Sequence, residues 1–281
     1  MNDRPKVSIV TASFNQAEYL PMCIESVLDQ DYPSVEYIVV DPGSTDGSRE
    51  IIKRYERHID RVIFEPDRGH SDGMNKGFRS ATGDIYNCTN SDDAFLPDAI
   101  SAAVEALSER PHADVVWGNG YVIDGAGRVT RRFISNRWSD WRFVRSGLAV
   151  MHQSTFYRRD AFWHVGGFDA DQGVGNDADL LYRMSRAGLS MERVNGYWGL
   201  FRVYGDSITG SGRLTTAWAE YRTRRFHEFF GRPRDARDRA LDRASYLSKW
   251  LLDPYALALR LADVAGAYPR DIYTTSPSRS R

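Results

Sequence analysis

The stretch Asp84-Ile85-Tyr86-Asn87-Cys88-Thr89-Asn90-Ser91-Asp92-Asp93 decides the fold. Residues 84–89 read as a buried strand, two adjacent carboxylates follow it, and Pro97 sits where the first turn of a helix running through Leu107 is expected. Upstream, compact apolar runs alternate with amphipathic stretches. Residues 7–12, 37–40 and 62–65 read as strands, and residues 17–30, 48–55 and 72–80 as helices. The first of these helices carries Leu20, Cys23, Ile24, Val27 and Leu28 on one stripe, and Gly83 breaks the last from the strand that follows. That alternation is the pattern of a parallel sheet with crossover helices. The turn-rich loop Asp41-Pro42-Gly43-Ser44-Thr45-Asp46-Gly47 and the Asp92-Asp93 pair both follow the carboxyl ends of strands, where open α/β sheets bind ligands.

Beyond residue 110 the order changes to α+β. Strands over 115–123 and 129–134 flank the hairpin turn Asp124-Gly125-Ala126-Gly127, a helix over 177–186 ends at Gly188, and 191–204 reads mostly as strand. From Leu214 the chain is helical and rich in arginine, with ten Lys or Arg against five Asp or Glu between Arg213 and Lys249, then an apolar run from Trp250 to Leu261. The expected organisation is a catalytic domain over 1–212, with halves at about 1–110 and 111–212, a helical extension over 213–265 and a flexible tail over 266–281. No repeat is present.

The 281 residues carry 37 Lys or Arg against 38 Asp or Glu, so no whole-chain field argues for a nucleic-acid partner. Cys23 and Cys88, each within an apolar run, fit buried thiols in a reducing compartment, and zinc spacing is absent. The N-terminal apolar run reads as too short and wrongly flanked for a signal peptide, and no run of eighteen apolar residues spans a membrane.

Asp92 and Asp93 are the sharpest chemical feature. Two carboxylates this close need a cation, and Mg²⁺ or Mn²⁺ can share carboxylate, water and diphosphate oxygens; an Asp N-cap for the following helix is the alternative.

Read together, several segments resemble glycosyltransferase family 2, the inverting, nucleotide-sugar-dependent enzymes with a GT-A fold. They are Val7 to Gln16, Val39 to Gly47, Glu65 to Gly69, Asp72 to Gly77, Ala81 to Asp84, Asn90 to Asp93, Gly166 to Asp169 and Asn176 to Leu180. The resemblance covers roughly residues 5 to 210 and implies a Rossmann-like mixed sheet carrying a helical C-terminal extension.

The resemblance places Ala12, Ser13 and Phe14 beside the nucleotide base, with Phe14 free to stack unless it is core. Asp41 is implied in a base or ribose contact, although Pro42 stands where the family commonly has a second acidic residue. Asp72 and Lys76 would line the sugar-nucleotide cleft. Asp93 is implied as the direct metal ligand, with Asp92 nearer the ribose or sugar and also available to the metal. Asp177 matches the general base, Asn176 replacing a commonly acidic neighbour, and Asp179 is expected to point away in a structural role. His152, beside Gln153, is implied near phosphate, metal or acceptor, or else is a satisfied core residue. Arg202 or Arg213 would meet the diphosphate when a mobile loop closes.

The implied reaction is a single, metal-dependent displacement, with Mn²⁺ or Mg²⁺ as cofactor. It moves a sugar from a nucleoside-diphosphate sugar, UDP-linked first of all, to a saccharide or glycolipid hydroxyl. The processive synthases' Gln-x-x-Arg-Trp element is absent, which favours single addition. A sugar nucleotidyltransferase and a non-catalytic nucleotide-sugar or carbohydrate-binding domain are the rivals. The expected setting is cytoplasmic. Two readings of the basic C-terminal helices stand: packing on the catalytic domain or a second subunit, or peripheral contact with the inner face of a membrane.

Overall fold

The computed structural model describes residues 4–264, so the expected tail over 266–281 lies outside the described residues. In chain order the elements are β1 (Val7–Ala12), α1 (Leu20–Leu28), β2 (Val35–Val40), α2 (Ser48–Tyr55), β3 (Arg61–Ile63), α3 (His70–Ser80), β4 (Ile85–Asn90), β5 (Ala94–Phe95) and α4 (Ala99–Glu109). They continue through β6 (Val115–Ile123), β7 (Val129–Phe133), α5 (Asp140–Ser146), β8 (Thr155–Arg158), α6 (Arg159–His164), α7 (Asn176–Arg186), β9 (Met191–Arg202), α8 (Ile208–Ser211), α9 (Thr215–Phe230), α10 (Ala236–Leu251) and α11 (Pro254–Val264).

One mixed sheet runs β3-β2-β1-β4-β8-β6-β9-β5, with β7 paired to β6. The strands β3, β2, β1 and β4 are parallel, as the alternation of the first half requires, and β8 turns the sheet antiparallel. Both faces are covered. The period-two alternation of β1 sends Val7 and Ile9 to one side, against Leu20, Ile24, Ile52 and Ile100 of α1, α2 and α4. It sends Val10 to the other, among Met74, Phe78, Phe162, Leu180 and Met184 of α3, α6 and α7. Each such side chain contributes about 1.5–3 kcal/mol when fully buried. Gly77 lets α3 lie directly on β1, since a Cβ there would stand 2.4 Å from Val10 Cγ1.

Two expectations change here. Pro97 precedes α4 instead of entering its first turn: Leu96 N donates to Trp198 O at 2.8 Å, β5 pairs with β9, and Asp98 at φ 60 makes the turn into the helix. The short elements β5, β8, α5 and α6 were not expected. Of the two readings of the C-terminal helices, packing on the catalytic body holds for one face: Phe143, Val144, Tyr182 and Tyr221 join α5, α7 and α9, while Arg193–Asp253 and Arg132–Asp263 pairs tie down α11 and its approach. Cys23 and Cys88 are free and buried. Among the described residues no helix is long and apolar enough to cross a membrane.

Candidate active site

Register brings the expected residues to one edge. Ala12 pairs with Val40 on one side and Asn90 on the other, so Ser13, Asp41 and Ser91 leave the sheet side by side.

The two carboxylates at this edge differ in burial and in what they touch. Asp93 is 1% exposed, and both oxygens are occupied: Oδ1 accepts from Arg202 N at 2.9 Å, and Oδ2 accepts from Asn90 Nδ2 at 3.1 Å and from Gln153 Nε2. Burial, then the charge of Asp92, lifts its pKa well above the carboxylate range. Asp93 therefore fixes the loop, tying it to the end of β9 and to Gln153. Asp92, only half-buried, accepts one bond, from Tyr204 Oη at 3.3 Å, and burial raises its pKa as well.

Arg202 ends β9 at 3% exposure, with Nε on Asp92 O at 2.8 Å, Nη1 on Asp124 O at 3.0 Å, and its guanidinium 4.6 Å from the Tyr19 ring centroid. A guanidinium spent on carbonyls and packed on an aromatic ring braces the acidic loop against β9. Arg213 is exposed and forms no ion pair among the described residues.

Asp41 is wholly buried, with its oxygens taken up by the loop around it. Gly43 N, Ser44 N and Arg49 Nε donate to Oδ1 at 3.0, 2.8 and 3.0 Å, and Ser13 Oγ donates to Oδ2 at 3.2 Å. Burial opposes its charge, and those donors outweigh burial and lower its pKa. Asp72 Oδ2 accepts from Arg68 N at 3.1 Å, and Lys76 Nζ donates to Pro66 O, so both brace the loop before α3. Ala12 is half-buried and Ser13 buried, whereas Phe14 is 59% exposed, which excludes its core reading.

Asp177 lies in the first turn of α7 and receives no hydrogen bond among the described residues. Gly175, at φ 67, turns the chain into this helix; a Cβ there would come within 2.8 Å of the Trp218 ring. Asp177 opens on a cavity of about 190 Å³ walled by Trp138, Leu148, Val150, Leu181 and Trp218. Asp179, as expected, is structural: it is buried and paired with Arg183 at 2.8 Å and with Arg225 of α9.

His152 sits beside Cys88 of β4 and within reach of the charge of Asp177. Its Nε2 lies 3.3 Å from Cys88 Sγ, its Nδ1 is buried without a partner, and burial pulls its pKa down to about 4 against the opposing charge of Asp177. It is therefore neutral near pH 7, not satisfied as a core histidine would be. His70, which the sequence reading missed, bonds Asn90 Oδ1 through Nε2 at 2.7 Å and lies near enough for its charge to favour ionised Asp92. Tyr204 and Trp218 were missed too, since each reaches the site from a segment far away in sequence.

No group of three His, Cys, Asp or Glu among the described residues is arranged to hold a metal. Asp92, a carboxylate that accepts one side-chain hydrogen bond among the described residues, fits Mg²⁺ or Mn²⁺, which take one or two carboxylates and complete their shell from phosphates and water.

A doubly covered mixed sheet with an acidic loop at its carboxyl edge is the GT-A architecture of glycosyltransferases. The chain belongs to glycosyl transferase family 2, whose description matches residues 8–166. It is 33% identical over 186 residues to an uncharacterised glycosyltransferase of Mycobacterium tuberculosis, covering 65% of this chain and 70% of that one. The fold matches a mannosyltransferase of Pyrobaculum calidifontis in complex with GDP-Man and Mn²⁺, with a TM-score of 0.62 at 19% identity over 95% of this chain and 76% of that one. It also matches TarS of S. aureus in complex with UDP-GlcNAc, with a TM-score of 0.54 at 17% identity over 70% and 58%. This chain is accordingly a glycosyltransferase.

Proposed function

We propose that this glycosyltransferase moves one sugar, with inversion, from a nucleoside-diphosphate sugar to a hydroxyl of a saccharide or glycolipid acceptor, with UDP-sugars the first donors to test. The observation carrying this reading is Asp177: a carboxylate that accepts no hydrogen bond among the described residues, opening on a cavity between Trp138 and Trp218. Sugar rings present C–H faces that aromatic walls accept, so this cavity suits the acceptor. Asp177 then takes the proton of the attacking hydroxyl, a step that typically supplies about 10²–10⁴-fold.

Phe14 offers its exposed ring to the nucleotide base, and Arg213 is the arginine available to the diphosphate. Asp92, with Asn90 and the imidazole of His70 nearby, is where a divalent cation would be held. Held there, a divalent cation would supply positive charge against that developing on the leaving diphosphate. The fold neighbours crystallised with GDP-Man and Mn²⁺ and with UDP-GlcNAc support this donor class and metal type.

The test is nucleoside diphosphate release from a panel of UDP- and GDP-sugars with glycoside acceptors. Asp177→Asn is expected to keep donor affinity and lower kcat at least about 10²-fold. Wild-type turnover in that variant removes Asp177 as the base. Retention of the donor's anomeric configuration in the product overturns the single displacement.

A further inference from the structure

The inner face of α10 is fixed to the body. Asp238 pairs with Arg145 at 3.1 Å, Ser245 Oγ lies 3.0 Å from Ser146 Oγ, and Lys249 Nζ donates to Ser146 O at 3.0 Å. The opposite stripe is apolar, carrying Ala240, Ala244, Leu247 and Leu251, with Leu251 68% and the adjoining Leu252 70% exposed. α11 adds Leu261 and, one turn on, Val264 at 86% exposure.

The charge around this stripe has one sign. Arg237, Arg239 and Arg243 are exposed and form no ion pair among the described residues. The acids of α10 are turned inward, Asp238 to Arg145 and Arg232, Asp242 to Arg145 and Arg234.

At the edge of the stripe a cleft of about 520 Å³ opens between α5, α9 and α10, with Arg145, Arg222, Arg243, Asp242, Tyr246 and Leu247 on its walls. Arg145 is buried, and its Nε has no partner among the described residues. Asp242 is already held by two arginines, whereas Arg222 and Arg243 are exposed. Leu247 belongs to both cleft and stripe, and Arg243 of the cleft wall borders the stripe on α10, so the cationic recess and the apolar surface are continuous.

We propose that this face docks on an anionic phospholipid bilayer, the cleft receiving a lipid phosphate while the leucines enter the acyl boundary. Guanidinium groups match phosphate geometry, and an apolar stripe rimmed by arginine is the composition that lies in a membrane interface. A second copy of the chain is the poorer occupant, because a two-fold contact would set this arginine rim against itself. Trp218 of the acceptor cavity and Arg222 of the cleft stand one turn apart on α9, so docking brings that cavity to the lipid surface. On the transferase reading above, the acceptor is then a glycolipid; the docking itself does not depend on that reading.

The test is flotation of the full-length protein with vesicles of phosphatidylcholine alone and of phosphatidylcholine with phosphatidylglycerol. The wild type is expected to float only with the anionic vesicles. Arg222→Glu with Arg243→Glu, and separately Leu247→Glu with Leu251→Glu, are expected to lower the bound fraction at least about tenfold. All four positions are exposed and the arginine variant gives up one bond, from Arg222 Nη2 to Arg145 O at 3.2 Å, so melting temperature should fall by no more than roughly a few degrees in that variant and stay at its wild-type value in the leucine variant. Three results overturn the proposal: no flotation with anionic vesicles, equal flotation with neutral ones, or a solution dimer that the leucine variant splits into monomers. A failed transfer assay leaves these readings unchanged, so the two proposals fail separately.

Discussion

Replacing Asp93 by alanine separates the two adjacent carboxylates most sharply. The substitution strands Arg202 N–H and the Gln153 amide, both buried, and frees the half-buried Asn90 amide. An unsatisfied buried donor costs about 1–3 kcal/mol, so the two buried ones together cost about 2–6 kcal/mol. Removing a carboxyl group that burial already disfavours as an anion returns part of this, leaving a net loss of about 2–4 kcal/mol. Thermal unfolding followed by circular dichroism should show it as a fall of roughly 5–15 °C. Asp92→Ala loses one 3.3 Å bond from Tyr204, whose hydroxyl also donates to Gln16 at 3.1 Å, and should cost less than about 1 kcal/mol. Equal melting temperatures for the two variants, or a larger fall for Asp92→Ala, would refute the division of roles.

Asp179→Ala leaves Arg225 and Arg183 without their shared buried carboxylate and is expected to destabilise by about 3 kcal/mol in a denaturant titration, loosening α9 from α7. His152 is held neutral, with a pKa near 4 against an ordinary 6.5, so the unfolded chain binds its proton more readily. Its contribution is complete above about pH 6.5 and is lost as pH falls towards 4, by at most about 3 kcal/mol; His152→Gln should flatten that part of the stability profile relative to wild type. Phe14→Ala should weaken nucleotide diphosphate binding by about 1–3 kcal/mol in calorimetry, the worth of one base–aromatic stack, with no change in melting temperature of the free protein.

The first half of the fold was legible because its strands and helices carry their own periodicity: Val7–Ala12 and Ser48–Tyr55 fall where the apolar pattern puts them. Thr155–Arg158 and Ala94–Phe95 were not, since strands of four and two residues are defined by the partners β4, β6 and β9 and not by a pattern of their own. At the site, residue type and order located the edge, and the resemblance singled out Asp92, Asp93, His152 and Asp177. What a linear reading could not supply was direction. Which of two neighbouring aspartates faces inward depends on Arg202 and Gln153, 109 and 60 residues away. Arg202, Asp41 and Lys76 look available in sequence and are consumed by backbone carbonyls, loop amides and ring packing. His70 gave no signal of its own, because its place at the acidic edge comes from Asn90 on a separate strand.

The central claim is that a nucleoside diphosphate and a divalent cation meet at Asp92. It is tested most directly by the thermal shift of wild type and Asp92→Asn with UDP, GDP, dTDP and CMP, each with and without Mn²⁺. A ligand at a hundredfold excess over its Kd stabilises the native state by about 2.7 kcal/mol. The account predicts a Mn²⁺-dependent shift with one diphosphate in wild type that is lost in Asp92→Asn while the free variant melts as wild type does. A full metal-dependent shift in Asp92→Asn, or no shift with any nucleotide in the wild type, would contradict it.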